Sequence, residues 1–258
     1  MSLSLGTGPL GRNPAGAYNF DIDGAAPAHR IYFADFLPRV RAVVGGVTVL
    51  DTTRGKLLYE SGIYPRFYAP LEDYDAAVLQ RTGTVTNCPF KGDASYWSLS
   101  LNGSSRADAI WAYEAPIPEA SWLSGYAALY ADKVDQWWVE DEPVRALRDP
   151  FHRIDVLDTS RRVVIRIGDD VIADTDRAAL LFETGLPPVA YVPRADLRVP
   201  VSPVEGKTTF CPYKGDASYW TVGGIESAAW SYDAPRPEAT GIAGRVAFDP
   251  SKVSIAIS

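Results

Sequence analysis

The chain has 258 residues, 47% of them hydrophobic, with a net charge of −7. That balance argues against a broad nucleic-acid or acidic-membrane surface, because nothing here would neutralise a row of phosphates. No apolar run is long enough to span a bilayer, and two cysteines provide neither a disulfide framework nor a Cys-pair metal site. No metal or cofactor site is expected, since each half holds one Cys and one His, fewer than a zinc site needs. A Cys88–Cys211 bridge would belong to an oxidising compartment that the chain shows no sign of entering.

Residues 1–28 are rich in Gly, Pro and Ala and read as an extended or poorly ordered arm. The opening Met1-Ser2-Leu3-Ser4-Leu5-Gly6 lacks the charged and apolar regions of a signal peptide, so a cytoplasmic location is the expectation. A first domain is expected over 29–138. Within it, Arg39–Val44, the turn Gly45-Gly46 and Val47–Leu50 form a strand, a turn and a second strand. Further strands are predicted at Arg66–Ala69, Ala77–Arg81, Tyr96–Leu101, Ala109–Tyr113, Tyr126–Tyr130 and Val134–Trp138. A short helical piece is predicted from Pro118, where Pro and Glu suit a first turn. Residues 139–151, bounded by Pro143 and Pro150, read as a linker, and a second domain follows over 152–258.

The second domain repeats the first. Cys88-Pro89-Phe90-Lys91-Gly92-Asp93-Ala94-Ser95-Tyr96-Trp97 recurs 123 residues later as Cys211-Pro212-Tyr213-Lys214-Gly215-Asp216-Ala217-Ser218-Tyr219-Trp220. The same offset, without a gap, carries His29-Arg30-Ile31 onto His152-Arg153-Ile154, Arg54 onto Arg177, Glu60 onto Glu183 and Tyr68 onto Tyr191. After the tryptophan the offset falls to 119, and Trp111-Ala112-Tyr113-Glu114-Ala115-Pro116 matches Trp230-Ser231-Tyr232-Asp233-Ala234-Pro235. The hairpin recurs as Arg162–Ile167, Gly168-Asp169-Asp170 and Val171–Ala173. Short strands punctuated by 20 prolines and 21 glycines predict an all-β chain: two similar compact β-sandwich or partly open β-barrel domains in tandem, each with at most a short helix.

The ten-residue block, followed by Trp-x-Tyr-[Asp/Glu]-x-Pro-x-Pro-Glu-Ala, resembles domain of unknown function 427, a bacterial and fungal family sometimes labelled nucleotidyltransferase-like. The resemblance covers nearly the whole chain from His29 onward, twice. It implies a compact β fold, sometimes duplicated, without an established activity. The residues do not favour the nucleotidyltransferase label: neither copy has a Gly-Ser turn followed by Asp-x-Asp, and Lys91-Gly92 lacks the upstream glycines of a phosphate loop.

The block is also the candidate site. The copies differ at more than half of their aligned positions yet keep Lys, Asp, Ser and Tyr here, where a turn alone would need only the glycine. Trp111 and Tyr113 share a strand face and are expected to meet Trp97 across the strand pair as an aromatic wall. A wall of this kind is core as often as pocket. As a pocket, it makes each repeat a small-molecule-binding module. The expected contacts are Lys91, Asp93, Tyr96, Trp97, Trp111, Tyr113 and Glu60 in the first repeat. Their counterparts are Lys214, Asp216, Tyr219, Trp220, Trp230, Tyr232 and Glu183. A nucleoside-like or amine-bearing ligand suits such rings.

Two other readings stay open. Cys88 or Cys211 could be a nucleophile or redox thiol with a neighbouring lysine lowering its pKa. Alternatively, the halves pack as a structural pseudo-dimer that presents a protein-binding surface. Glu60 with Arg54, and Glu183 with Arg177, read as solvated ion pairs ahead of ligand-binding charges. His29 and His152 read as structural hydrogen-bonding residues ahead of bases.

Overall fold

The computed structural model describes residues 3–13, 29–101 and 103–258. It divides into two compact units, the first ending at Asp149 and the second beginning at Pro150. The first unit has eleven strands: β1 (Ile31–Asp35), β2 (Val40–Val44), β3 (Val47–Thr52), β4 (Lys56–Glu60), β5 (Ile63–Pro70), β6 (Leu79–Cys88), β7 (Gly92–Leu101), β8 (Ser104–Ala112), β9 (Tyr126–Leu129), β10 (Gln136–Val139) and β11 (Glu142–Val144). They form a seven-stranded sheet in the order β1-β4-β5-β9-β8-β7-β6 and a four-stranded sheet in the order β11-β10-β2-β3.

The second unit repeats this plan with β12 (Ile154–Asp158), β13 (Val163–Ile167), β14 (Asp170–Thr175), β15 (Ala179–Glu183), β16 (Val189–Pro193), β17 (Val201–Cys211), β18 (Gly215–Val222), β19 (Ile225–Ser231), β20 (Arg245–Phe248) and β21 (Ser254–Ile257). Its large sheet runs β12-β15-β16-β20-β19-β18-β17, and its small sheet runs β14-β13-β21. The fold is all-β, and none of these sheets closes into a barrel. Among the described residues, no helix is long and apolar enough to cross a membrane.

The period of two along each strand sorts the side chains into two layers. In the first unit Val40, Ala42 and Val44 of β2, Leu57 and Tyr59 of β4, Phe67 of β5, Leu99 of β7, Ile110 of β8 and Trp137 of β10 join one buried cluster. This is the main core, shared by both sheets. Leu58 of β4, Tyr68 of β5, Tyr96 of β7 and Trp111 of β8 belong to a second cluster on the other face of the large sheet, together with Leu123. The segment Pro118–Leu123 is a 3₁₀ turn with Pro at its start and Glu119 in its first turn, and it buries Ala120 and Leu123 against that face. Pro237–Ile242 does the same in the second unit with Ala239 and Ile242.

Two sequence expectations are corrected. The expected linker, 139–151, is structured in its first part: β11 pairs with β10, and Leu147 packs on the main core. The arm is anchored over 3–13, because Gly62 N–H donates to the Ser4 carbonyl, Ser61 Oγ donates to the Leu10 carbonyl and Leu5 is buried. A Gly/Pro/Ala-rich stretch looks unstructured because it lacks side-chain periodicity, yet its backbone can still dock by hydrogen bonds. The remainder of the expected arm, 14–28, lies outside the described residues.

The β6–β7 hairpin sets the position of Lys91. Lys91 N–H closes the turn onto the Cys88 carbonyl at 3.1 Å, and the Lys91 carbonyl accepts from Ile117 N–H at 3.1 Å. Gly92 then adopts φ +103°, and a Cβ there would stand 3.4 Å from the Ala115 carbonyl oxygen and the Ile117 nitrogen. Gly215 repeats this at φ +104°. Both features require glycine. Gly92→Ala is expected to destabilise the first unit by about 1–3 kcal/mol, and Gly215→Ala the second by a similar amount. Urea unfolding of the full chain checks this, and an unchanged midpoint would contradict it.

Candidate functional site

The outer face of each large sheet collects several of the repeated residues. Tyr96 is registered against Trp111, and Trp97 against Ile110. Trp97 therefore points into the main core, opposite to Trp111 and Tyr113. The aromatic wall expected from Trp97, Trp111 and Tyr113 is corrected accordingly: Tyr96, not Trp97, is the β7 residue that joins Trp111 and Tyr113. A one-residue difference in register sends a side chain to the other face of the sheet. In the second unit Trp220 packs against the inner cluster, while Tyr219, Trp230 and Tyr232 belong to the outer one.

At one end of the outer face stands a polar centre. Glu60, the last residue of β4, accepts from Lys91 Nζ at 2.6 Å (Oε1) and 2.7 Å (Oε2). His29 Nε2 lies 2.8 Å from Glu60 Oε1. The His29 ring stacks on Phe90 with centroids 4.1 Å apart and planes at 20°. The second repeat builds the same group: Lys214 Nζ donates to Glu183 Oε2 at 2.7 Å, His152 Nε2 lies 3.0 Å from Glu183 Oε1, and the His152 ring lies over Tyr213 at 4.0 Å. Glu60, Lys91, His152 and Lys214 are buried.

Glu60 and Arg54 do not form the ion pair expected of them. Arg54 instead holds Glu72 at 2.7 Å and also Asp73, and Arg177 holds Asp196, all at the surface. Alternation along β4 puts Glu60 on the outer face with Leu58, within reach of the β6–β7 hairpin, so its partner comes from 31 residues away. Lys91 gives its ammonium to Glu60 rather than to the thiol of Cys88. Cys88 and Cys211 are free and half-buried, each packed against the outer cluster of its own unit.

The aromatic face beside the centre carries hydrogen bonds of its own. Trp111 Nε1 donates to the Tyr68 hydroxyl at 3.2 Å, and Trp230 Nε1 donates to the Tyr191 hydroxyl at 3.3 Å. Lys91 Nζ lies 5.8 Å from the Tyr113 ring centre. Burial raises the hydroxyls of Tyr68, Tyr113, Tyr191 and Tyr232 well above the ordinary tyrosine range, so all four remain neutral phenols. The Tyr96 hydroxyl is hydrogen-bonded to Thr86 at 2.9 Å, and that of Tyr219 to Thr209 at 3.0 Å. Asp93 stands apart: it is exposed and accepts from Asn87 across the hairpin at 2.7 Å. Asp216 is likewise exposed.

The structure thus brings together Glu60, Lys91, Tyr96, Trp111 and Tyr113 in the first unit and, separately, Glu183, Lys214, Tyr219, Trp230 and Tyr232 in the second. Trp97, Trp220, Asp93 and Asp216 lie elsewhere. Sequence reasoning left out Tyr68, Tyr191, Phe90 and Tyr213 and gave the two histidines a merely structural role. The available signal was the common offset, which already matched His29 to His152 and Tyr68 to Tyr191.

The charge balance at Glu60 has a definite sign. Burial pushes its carboxyl up, but the hydrogen bond and charge of Lys91, with those of His29, outweigh burial and leave it below the ordinary glutamate value. A folded-state pKa below the unfolded one adds stability above the unfolded pKa, and that stability is lost as pH falls through the folded pKa. The first unit should therefore lose stability on acidification below about pH 4.5, with Glu60→Gln flattening that part of the profile. Lys91→Met alone, which strands a buried carboxylate, should cost about 3–5 kcal/mol, and Glu60→Leu with Lys91→Met distinctly less. Urea unfolding across pH checks both, and a double variant as damaged as the single one would contradict this reading of the pair.

The comparisons agree with the repeat. No curated protein matches the chain. A family model described as a domain of unknown function, number 427, matches residues 34–140 and again residues 155–258. Two matches that together span most of the chain show that it belongs to this family, as a tandem duplication of its domain.

Proposed function

We propose that each repeat is a small-molecule-binding module whose site is the outer face of its large sheet, organised by the His–Glu–Lys centre and the adjoining aromatic row. The observation that carries this is the recurrence of one buried ion pair, with the same histidine, in two copies that have otherwise drifted apart. A buried ion pair is a poor source of stability, because desolvation offsets much of the attraction and an apolar pair of similar volume does as well. Its retention twice therefore calls for another use.

The hydrogen-bonding capacity of the centre supports a ligand. A carboxylate offers about four acceptor sites and an ammonium three donors. Glu60 uses three acceptor sites and Lys91 two donors within the centre. By this count Glu60 has one acceptor and Lys91 one donor in hand, a pair that would suit the amide or amidine edge of a nucleobase. Phe90, 42% exposed, and His29 form the solvent-facing lip, and a flat ring can lie against them.

The test is a titration of the full chain with adenosine, cytidine and benzylamine, followed by tryptophan fluorescence and calorimetry. Saturable binding is expected for at least one of them. It should weaken about tenfold when Glu60→Gln and Glu183→Gln remove a charged acceptor from both centres, in a protein whose circular dichroism is unchanged. Three flat titrations would refute the proposal, as would binding indifferent to the two glutamines.

A further inference from the structure

The two outer faces share a polar centre and differ in what lies over the tryptophan. In the first repeat Tyr130, immediately after β9, lays its ring on Trp111 with centroids 4.3 Å apart and planes at 39°. Trp111 is only 9% exposed as a result of this and its other neighbours. Burial and the neighbouring Tyr96 raise the Tyr130 hydroxyl, while Arg66 on the same face opposes them. Tyr130 thus belongs to a packed aromatic row that runs through Trp111 to Tyr68 and Phe33.

In the second repeat β20 ends at Phe248 as β9 ends at Leu129, so the residue in the place of Tyr130 is Asp249. Its carboxylate turns into the following turn, where it accepts from the Ser251 N–H at 2.9 Å and the Ser251 hydroxyl at 2.7 Å. Val189 stands in the place of Arg66, and Val156 in that of Phe33. Trp230 keeps its bond to Tyr191 but is half-buried where Trp111 is buried, and no ring stacks on it among the described residues. Its cross-strand neighbour Tyr219 is also half-buried, with Lys207 Nζ 4.7 Å from the ring centre.

We propose that Trp230 and Tyr219 form an open stacking site for a planar aromatic ligand, the place that Tyr130 fills from within in the first repeat. The side chain of Tyr130 is a phenol tethered to the chain, so a free ring of phenol size is the occupant that the first repeat specifies. The chain then takes one such ring, in its second repeat, although both repeats keep the polar centre. This rests on the reading of the outer face as the binding surface and adds which repeat is open and what it takes.

The probe is 4-methylphenol, the detached side chain of tyrosine, titrated into the ¹⁵N-labelled full chain and followed at the indole N–H signals of its seven tryptophans. Trp230→Phe and Trp111→Phe assign two of them. The Trp230 signal should shift saturably and the Trp111 signal should not. Asp249→Tyr, which installs the plug, should weaken the Trp230 response about tenfold or more. Tyr130→Ala should make Trp111 respond. An unresponsive Trp230, an equal response of Trp111 in the unmodified chain, or an Asp249→Tyr protein that responds as before would overturn the proposal. Because 4-methylphenol has no edge matched to a glutamate–lysine pair, its failure leaves the nucleoside titrations as an independent test of the polar centre.

Discussion

The ion pair between Glu60 and Lys91 ties together the parts of the first repeat that bear on its chemistry. It joins the end of β4 to the tip of the β6–β7 hairpin, two segments that are not neighbours in the sheet order. Its formation requires the glycine conformation at Gly92 that turns the hairpin back, and it fixes His29 through the same carboxylate oxygen. A charge pair held this far out of water is stable only while both members are present and hydrogen-bonded. The second repeat meets the same requirement with Glu183, Lys214, Gly215 and His152. Four of the nine identities in the ten-residue block then have a role: the glycine shapes the turn, the lysine closes the pair, and the tyrosine and tryptophan serve opposite faces of one strand.

That division of Tyr96 and Trp97 between two layers explains how the sheet can be both scaffold and surface. Trp97, Leu99 and Ile110 bind the large sheet to the small one, so the outer face is free to carry polar groups without weakening the main core. A 3₁₀ turn covers only part of that face. The neutral phenols of Tyr68 and Tyr113 and the indole of Trp111 are buried on the same face, with Trp111 bonded to the Tyr68 hydroxyl and covered by Tyr130. Divergence between the repeats includes this layer: Phe33, Arg66, Trp122, Tyr126 and Tyr130 give way to Val156, Val189, Gly241, Arg245 and Asp249.

Much of this fold was legible in the sequence, because its signals are local. The hairpin over 39–50 announced itself through Gly45-Gly46 between β-branched runs, and the 3₁₀ turn through Pro118-Glu119. The duplication was plain from a block long enough to exclude chance. What was hidden is non-local or depends on register. Nothing near Glu60 names Lys91 as its partner in preference to Arg54, six residues before it, since sequence distance favours the wrong cation. Nor can two adjacent aromatics reveal which faces the core, because either register gives an amphipathic strand. The docking of residues 3–13 rests on backbone hydrogen bonds, which leave no pattern in side-chain chemistry.

If the outer face, organised by the glutamate–lysine pair, is where this protein meets a ligand, the backbone amides around that pair must sense the ligand first. The decisive measurement is the backbone amide map of the full chain by NMR in the presence of saturating nucleoside. Shifts are expected to concentrate at His29, Ser61, Phe90, Lys91 and Gly92 and at the equivalent positions of the second repeat, with the inner strands β2 and β13 silent. Shifts confined to the small sheets, or an unchanged map, would contradict the assignment of the outer face.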